Sequence, residues 1–149
     1  MIIKQKFLFL LFFILTNCNY EAIYSNKNDL NIPIKNFQLS GNKNINRNIV
    51  SSLKLKENKK SGYQLKLLSD SNLEVVSRSS TGSAAIYRST ITVELSLIKQ
   101  DEIIKQKKFS SSFTYNNIEN KFDLTQYQKN IELNLINKIT EEIFIFLNK

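Results

Sequence analysis

Between Ala85 and Leu97 apolar and polar residues alternate almost without exception, and no other feature limits the fold of this chain as much. Ala85, Tyr87, Ile91, Val93, Leu95 and Leu97 fall on one side, with only Ser89 interrupting. Ala84, Arg88, Thr90, Thr92, Glu94 and Ser96 fall on the other, with Ile86 and Ile98 near the ends. Successive strand side chains point to opposite faces, so a period of two predicts a strand with one packed and one exposed face. That pattern belongs to antiparallel sheets, because parallel ones are covered on both sides and read as continuous apolar runs.

The same period recurs on either side. Tyr63, Leu65 and Leu67 alternate with Gln64 and Lys66, and Leu73, Val75 and Val76 continue the strand after a polar break at Ser69 to Asn72. Ser79-Ser80-Thr81-Gly82 is a turn cluster, and Lys99 to Glu102 makes a tight reversal. Phe109, Ser111, Phe113 and Tyr115 alternate with Lys108, Ser110, Ser112 and Thr114 in a matching strand. Upstream, residues 32–39 form a shorter strand, which Pro33 confines to an edge or a strand start because it lacks the N–H of a ladder bond.

In two places the period becomes helical. Ile45, Ile49, Val50 and Leu53 follow Ser40-Gly41-Asn42, with Asn42 or Asn44 placed to cap the first turn and the helix fading near Glu57. Leu124, Tyr127, Ile131, Leu135, Ile139, Ile143 and Phe146 sustain one apolar stripe over some twenty residues, with Asp123 as the cap. Leu133, Ile136, Phe144 and Leu147 widen that stripe, which predicts packing against both the sheet and the first helix. The order strand-helix-strand-strand-strand-helix predicts an α+β two-layer sandwich. Two helices then lie on one face of a mostly antiparallel four-stranded sheet.

Residues 1–17 stand outside this domain and read as a signal peptide. Lys4 and Lys6 precede an unbroken apolar run of nine residues, Phe7 to Leu15, less than half of the roughly 20 that span a bilayer. Cys18, the only cysteine of the chain, follows at Leu15-Thr16-Asn17-Cys18. In an exported protein a lone cysteine calls for an explanation. Its position resembles a bacterial lipobox, in which the cysteine is acylated and becomes the mature N-terminus; Leu15 fits that pattern and Asn17 departs from it. The alternative is ordinary cleavage leaving a free thiol. Residues 18–31 are polar and rich in Asn, and read as a lipidated tether to a single domain at 32–149; Tyr20, Ile23 and Tyr24 are apolar exceptions suited to docking on the domain or a partner.

Removing residues 1–17 takes away two lysines and no acid, so the formal charge falls from +8 to +6. Export and the scatter of the lysines speak against nucleic acid and for a solvated Lys- and Asn-rich surface, with an anionic envelope ligand as the sharper reading for a few of them. The sequence has no histidine and only three glycines. Nucleophile–histidine pairs, histidine metal sites and Gly-rich phosphate loops are therefore excluded, and no cofactor is implied. The acids are dispersed, which argues against a carboxylate-based hydrolase and for a protein that is not an enzyme.

With these elements in order, the chain resembles the LptE family of lipopolysaccharide-assembly lipoproteins. Cys18-Asn19-Tyr20-Glu21-Ala22-Ile23-Tyr24 is similar to the family's mature start, although Asn19 stands where the family often has Gly. The order of elements, and Phe109 to Asn117 followed by an aromatic-Asp pair and a long terminal helix, are similar too. The resemblance implies an outer-membrane lipoprotein facing the periplasm, with Asn19 in place of Asp agreeing with that sorting. It also implies a plug and assembly partner for the β-barrel protein LptD that binds lipopolysaccharide and catalyses nothing. It places phosphate-binding cations at Arg78 and at Lys107 or Lys108, where charge-assisted hydrogen bonds would meet lipid A. Solvated strand-end charges are the alternative for all three. A lipoprotein adaptor of another envelope complex, on the same fold, is the alternative for the whole chain.

Overall fold

The computed structural model describes Leu30 and residues 32–58 and 62–149; the predicted signal peptide, Cys18 and nearly all of the tether lie outside the described residues. The order is β1 (Ile34–Gly41), α1 (Lys43–Ser52), β2 (Tyr63–Arg78), β3 (Ala84–Lys99), β4 (Glu102–Asn116) and α2 (Lys121–Asn148). The strands form one sheet in the order β1-β2-β3-β4. β1 and β2 run parallel because α1 carries the chain back between them, whereas β2–β3 and β3–β4 are antiparallel hairpins. The predicted α+β two-layer arrangement is the observed one.

Register follows the alternation. Leu65 stands opposite Leu97, Leu67 opposite Leu95 and Val93 opposite Phe109, all on the face the helices cover. Ile45 and Ile49 of α1 and Ile136, Ile139 and Ile143 of α2 close over them, all buried. The second hairpin turns on Gln100 and Asp101, both at positive φ (51° and 65°), the conformation of a two-residue loop whose twist matches the strands it joins.

Several boundaries differ from the sequence reading, each for a local reason. Ser69 to Asn72 does not break β2, which is one strand of 16 residues. Ser69 is buried in it, its hydroxyl donating to the Asn42 carbonyl (3.0 Å) and its own carbonyl accepting from the Asn42 N–H (2.9 Å). Polar residues persist in a strand when the neighbouring element satisfies them. β4 begins at Glu102, ahead of its first aromatic. β1 is displaced by two residues, to 34–41. α1 stops at Ser52, where Lys54 turns into the left-handed region (φ 51°), and Glu57 instead bridges to Ile34 of β1. Of the two asparagines proposed to cap α1, Asn42 does so, accepting from the N–H groups of Asn44 and Ile45. Asn120, and not Asp123, caps α2, accepting from Phe122 and Asp123. Asp123 sits one turn inside, where its charge complements the helix dipole. Leu30 packs into the core, so the folded region begins inside the stretch read as tether. Leu133, expected to widen the buried stripe, is half exposed.

The two layers are unequal in length. β1 pairs only as far as Gly41 against Ser69, and α1, ten residues and so about 15 Å, covers only that part of β2. β2 and β3 continue past it to a loop at 79–83, closed by hydrogen bonds from Ser79 N–H to the Ser83 carbonyl and from Gly82 N–H to the Ser79 carbonyl. α2, 28 residues and about 42 Å, runs beside β3 and β4.

Candidate functional site

The structure does not bring the three predicted cations together. Arg78 ends β2 beside Ala84, exposed, with its guanidinium donating to the Gly82 carbonyl (3.0 Å) across the loop. Lys107 and Lys108 sit in β4 opposite Leu95 and Glu94, some ten residues further along β3. At about 3.3 Å per residue the gap is roughly 33 Å, too long for one phosphate to join Arg78 with either lysine. They also face opposite ways, since neighbours in a strand must. Lys108 points to the uncovered face, with its Nζ 3.4 Å from Glu94, and both partners are largely solvated. An exposed pair of this kind holds its geometry weakly, worth about 0–1 kcal/mol.

Lys107 shares the helix side with a residue the sequence reading passed over. Lys105, two positions earlier, places its Nζ 3.5 Å and 3.3 Å from the carbonyls of Phe146 and Leu147, at the C-terminal end of α2. That end carries the negative pole of the helix, and the helix has no basic residue of its own in its last turn. Both ammonium groups lie over aromatic rings: Lys105 is 5.8 Å from the Phe146 centroid, and Lys107 is 4.9 Å from Phe109 and 5.8 Å from Phe146. Two cations are thus concentrated where β4 meets the end of α2, partly engaged by carbonyls and π faces. The signal for Lys105 was present, because extending the Phe109 alternation backwards puts residues 107 and 105 on the packed side.

At the other end of β4 the helix side becomes aromatic. Tyr115 stacks with Tyr87 at 5.8 Å and with Phe113 at 6.5 Å, and meets Tyr127 of α2 edge-on at 5.6 Å. Burial pushes the Tyr115 phenol above its ordinary value, with the Gln128 side chain drawing it back in part. Phe113, Phe122 and Tyr127 remain substantially exposed there, as do Leu73 and Val75 of β2, where α1 does not reach. Around Arg88 the uncovered face is polar. Arg88 holds Glu74 at 3.2 Å and donates to the Thr114 hydroxyl at 3.3 Å, amid Thr90, Thr92, Ser110 and Ser112.

Among the described residues no group of three or more Asp, Glu, His or Cys could hold a metal ion, and no helix is long and apolar enough to cross a membrane. The arrangement offers cations at one end of β4 and an aromatic apolar patch at the other.

No family model and no curated protein matches the chain by sequence. Solved structures do match its fold, bacterial lipoproteins among them. Rare lipoprotein B of Shewanella oneidensis superposes with a TM-score of 0.57 at 15% identity, covering 72% of this chain and 89% of that one. A minor lipoprotein of Acinetobacter baumannii gives 0.59 at 13%, covering 76% and 91%. Lipoprotein B of Nitrosomonas europaea gives 0.59 at 8%, covering 76% and 81%. The chain therefore has the fold found in these lipoproteins, with the described domain spanning most of each.

Proposed function

We propose that this chain is an outer-membrane lipoprotein of lipopolysaccharide assembly, anchored through acylated Cys18, that fits within a β-barrel partner of the LptD kind and catalyses no reaction. The observation that carries the reading is the coincidence of two independent features. A domain with the lipoprotein fold follows a short apolar leader that ends at the sole cysteine. The mature start Cys18 to Tyr24, similar to that of the LptE family, narrows the class to this role.

Lipopolysaccharide phosphates would be met by Arg78, Lys107 and Lys108, working at three separate places, since Lys107 and Lys108 lie on opposite faces of β4. Lys107, beside Lys105, forms the densest of these positive positions. Charge reversal at Arg78 and at Lys108 should therefore weaken lipopolysaccharide capture independently, the double variant losing the sum of the single losses, because sites this far apart do not couple. Unchanged capture by all three variants would remove Arg78 and Lys108 from the binding surface.

Isolation of the native complex from membranes tests the reading as a whole. The expected result is a chain beginning at acylated Cys18, recovered with a large barrel protein and lipopolysaccharide. An acylated chain recovered with another partner and no barrel would assign it to a different envelope complex. Recovery from the cytosol with the leader intact would end the proposal.

A further inference from the structure

The chain enters the fold through an open apolar groove between the outer side of α1 and the free edge of β1. Leu30 and Ile32 form its entrance, Leu39 and Val50 its walls and Leu55 its far side. Its volume is about 1240 Å³, against 260 Å³ and 320 Å³ for two clefts beside α2. Leu39 is 42% exposed there, although its side chain lies on the core side of β1, opposite Leu67. Among the described residues, none covers it fully.

We infer that Tyr20, Ile23 and Tyr24 fold back into this groove, so that the tether is docked on the domain and not a free leash. Three observations point to this occupant. The segment 19–29 is otherwise polar, and these are its large apolar residues. The reach is sufficient to enter it: Tyr24 lies six residues before Leu30, a span of up to about 20 Å, and Leu30 itself lines the groove. Closing so short a loop costs little entropy. The charges also agree, since Glu21 and Asp29 outnumber Lys27 in the segment while Arg47, Lys54 and Lys56 outnumber Glu57 around the groove.

Docking has a consequence for orientation that rests on the proposed acylation. With Cys18 two residues before Tyr20, the groove end of the domain is held at the bilayer and the 79–83 loop is directed away from it. The docking itself does not require the lipid, so it is tested without it.

In the full chain carrying Cys18→Ser, thiols are introduced as two pairs, Tyr24→Cys with Leu39→Cys and Tyr24→Cys with Lys66→Cys. Lys66 stands opposite Gln38, next to Leu39, but on the opposite face of the sheet. Docking predicts that the first pair forms an intramolecular disulfide at least about tenfold faster than the second, beyond the effective concentration that a short free linker gives both. Equal rates would show a tether that samples both faces, and a disulfide between two chains would show that another copy fills the groove; either overturns the inference. A second readout needs no new thiol. Tryptic cleavage at Lys27 should accelerate about tenfold or more when Tyr20, Ile23 and Tyr24 are all changed to Ser, because local opening governs proteolysis. An unchanged rate would likewise overturn it. Failure to find lipid on Cys18 would leave both outcomes intact, so the two proposals can fail separately.

Discussion

The half of the molecule around α1 and the half around the 79–83 loop share the long strands, yet only in the first does a helix close over β2. Leu67 and Leu73 lie six residues apart in β2, on the same face of the sheet. One is fully buried beneath α1, and the other is 51% exposed where α1 has ended. The difference shows that burial here is decided by the length of a ten-residue helix and not by the character of the strand. In the closed half apolar residues hold the fold together. In the open half the same residue types form a surface, with Phe113, Phe122 and Tyr127 beside Leu73 and Val75. Contiguous exposed apolar area of that kind is the sort of surface on which proteins meet other molecules.

The largest effect expected is the one that tests this contrast directly. Leu67→Ala should destabilise the fold by about 2–5 kcal/mol, through lost transfer energy and the cavity left behind. Leu73→Ala, the same chemistry in the same strand, should cost below about 1 kcal/mol. Chemical denaturation of both variants reads the difference, and equal losses would mean that the open half is covered in solution.

The glycines sharpen the comparison further. Gly41 and Gly82 share a φ of +83°, so both adopt a conformation that a Cβ disfavours. At Gly41 an added Cβ would also run into the backbone carbonyl of Ser69, whereas at Gly82 it would meet open space. Gly82→Ala should therefore cost only the conformational part, about 1 kcal/mol. Gly41→Ala should cost that and the displacement of β1 from β2, giving a visibly lower melting temperature than Gly82→Ala.

Asn42→Ala removes a helix cap worth about 0.5–2 kcal/mol. Its side chain also reaches Ser71 of β2, at 3.3 Å, tying the corner where the two halves meet. Asn120→Ala removes only the cap of α2, so the Asn42 variant should be the less stable of the two in thermal melts.

The smallest effect lies in the pH dependence of the open half. Burial raises the Tyr115 phenol above its ordinary value of about 10, so the folded state favours the neutral form. That contribution is fully present below about pH 10 and is lost as pH rises through the higher folded value. Tyr115→Phe should flatten the decline in stability above pH 10, measured as denaturation midpoints across that range.

The alternations at 63–67, 85–97 and 109–115 and the stripe from Leu124 to Phe146 were legible because each element repeats its own geometry in its side chains. Ser69 was misread as a break for the opposite reason. Its partner is Asn42, 27 residues away, and no local pattern announces that bond. The cap at Asn120 was hidden by Asp123, an equally suitable residue one turn inside the helix it was expected to start. The candidate site was legible only residue by residue. Arg78, Lys107 and Lys108 are visible as strand-end cations, but their separation follows from the pairing of β2 and β4 on either side of β3. Lys105 gains its role from the carbonyls of Phe146 and Leu147, some forty residues on.

By itself the chain determined the kind and order of its elements and the face each would bury, because the periods of two and 3.6 are properties of the local backbone. Only the tertiary structure decided which part of the shared sheet is sealed, which cations stand together and which polar residues are satisfied. Those outcomes depend on where elements distant in sequence end against one another, and a local pattern carries no record of that.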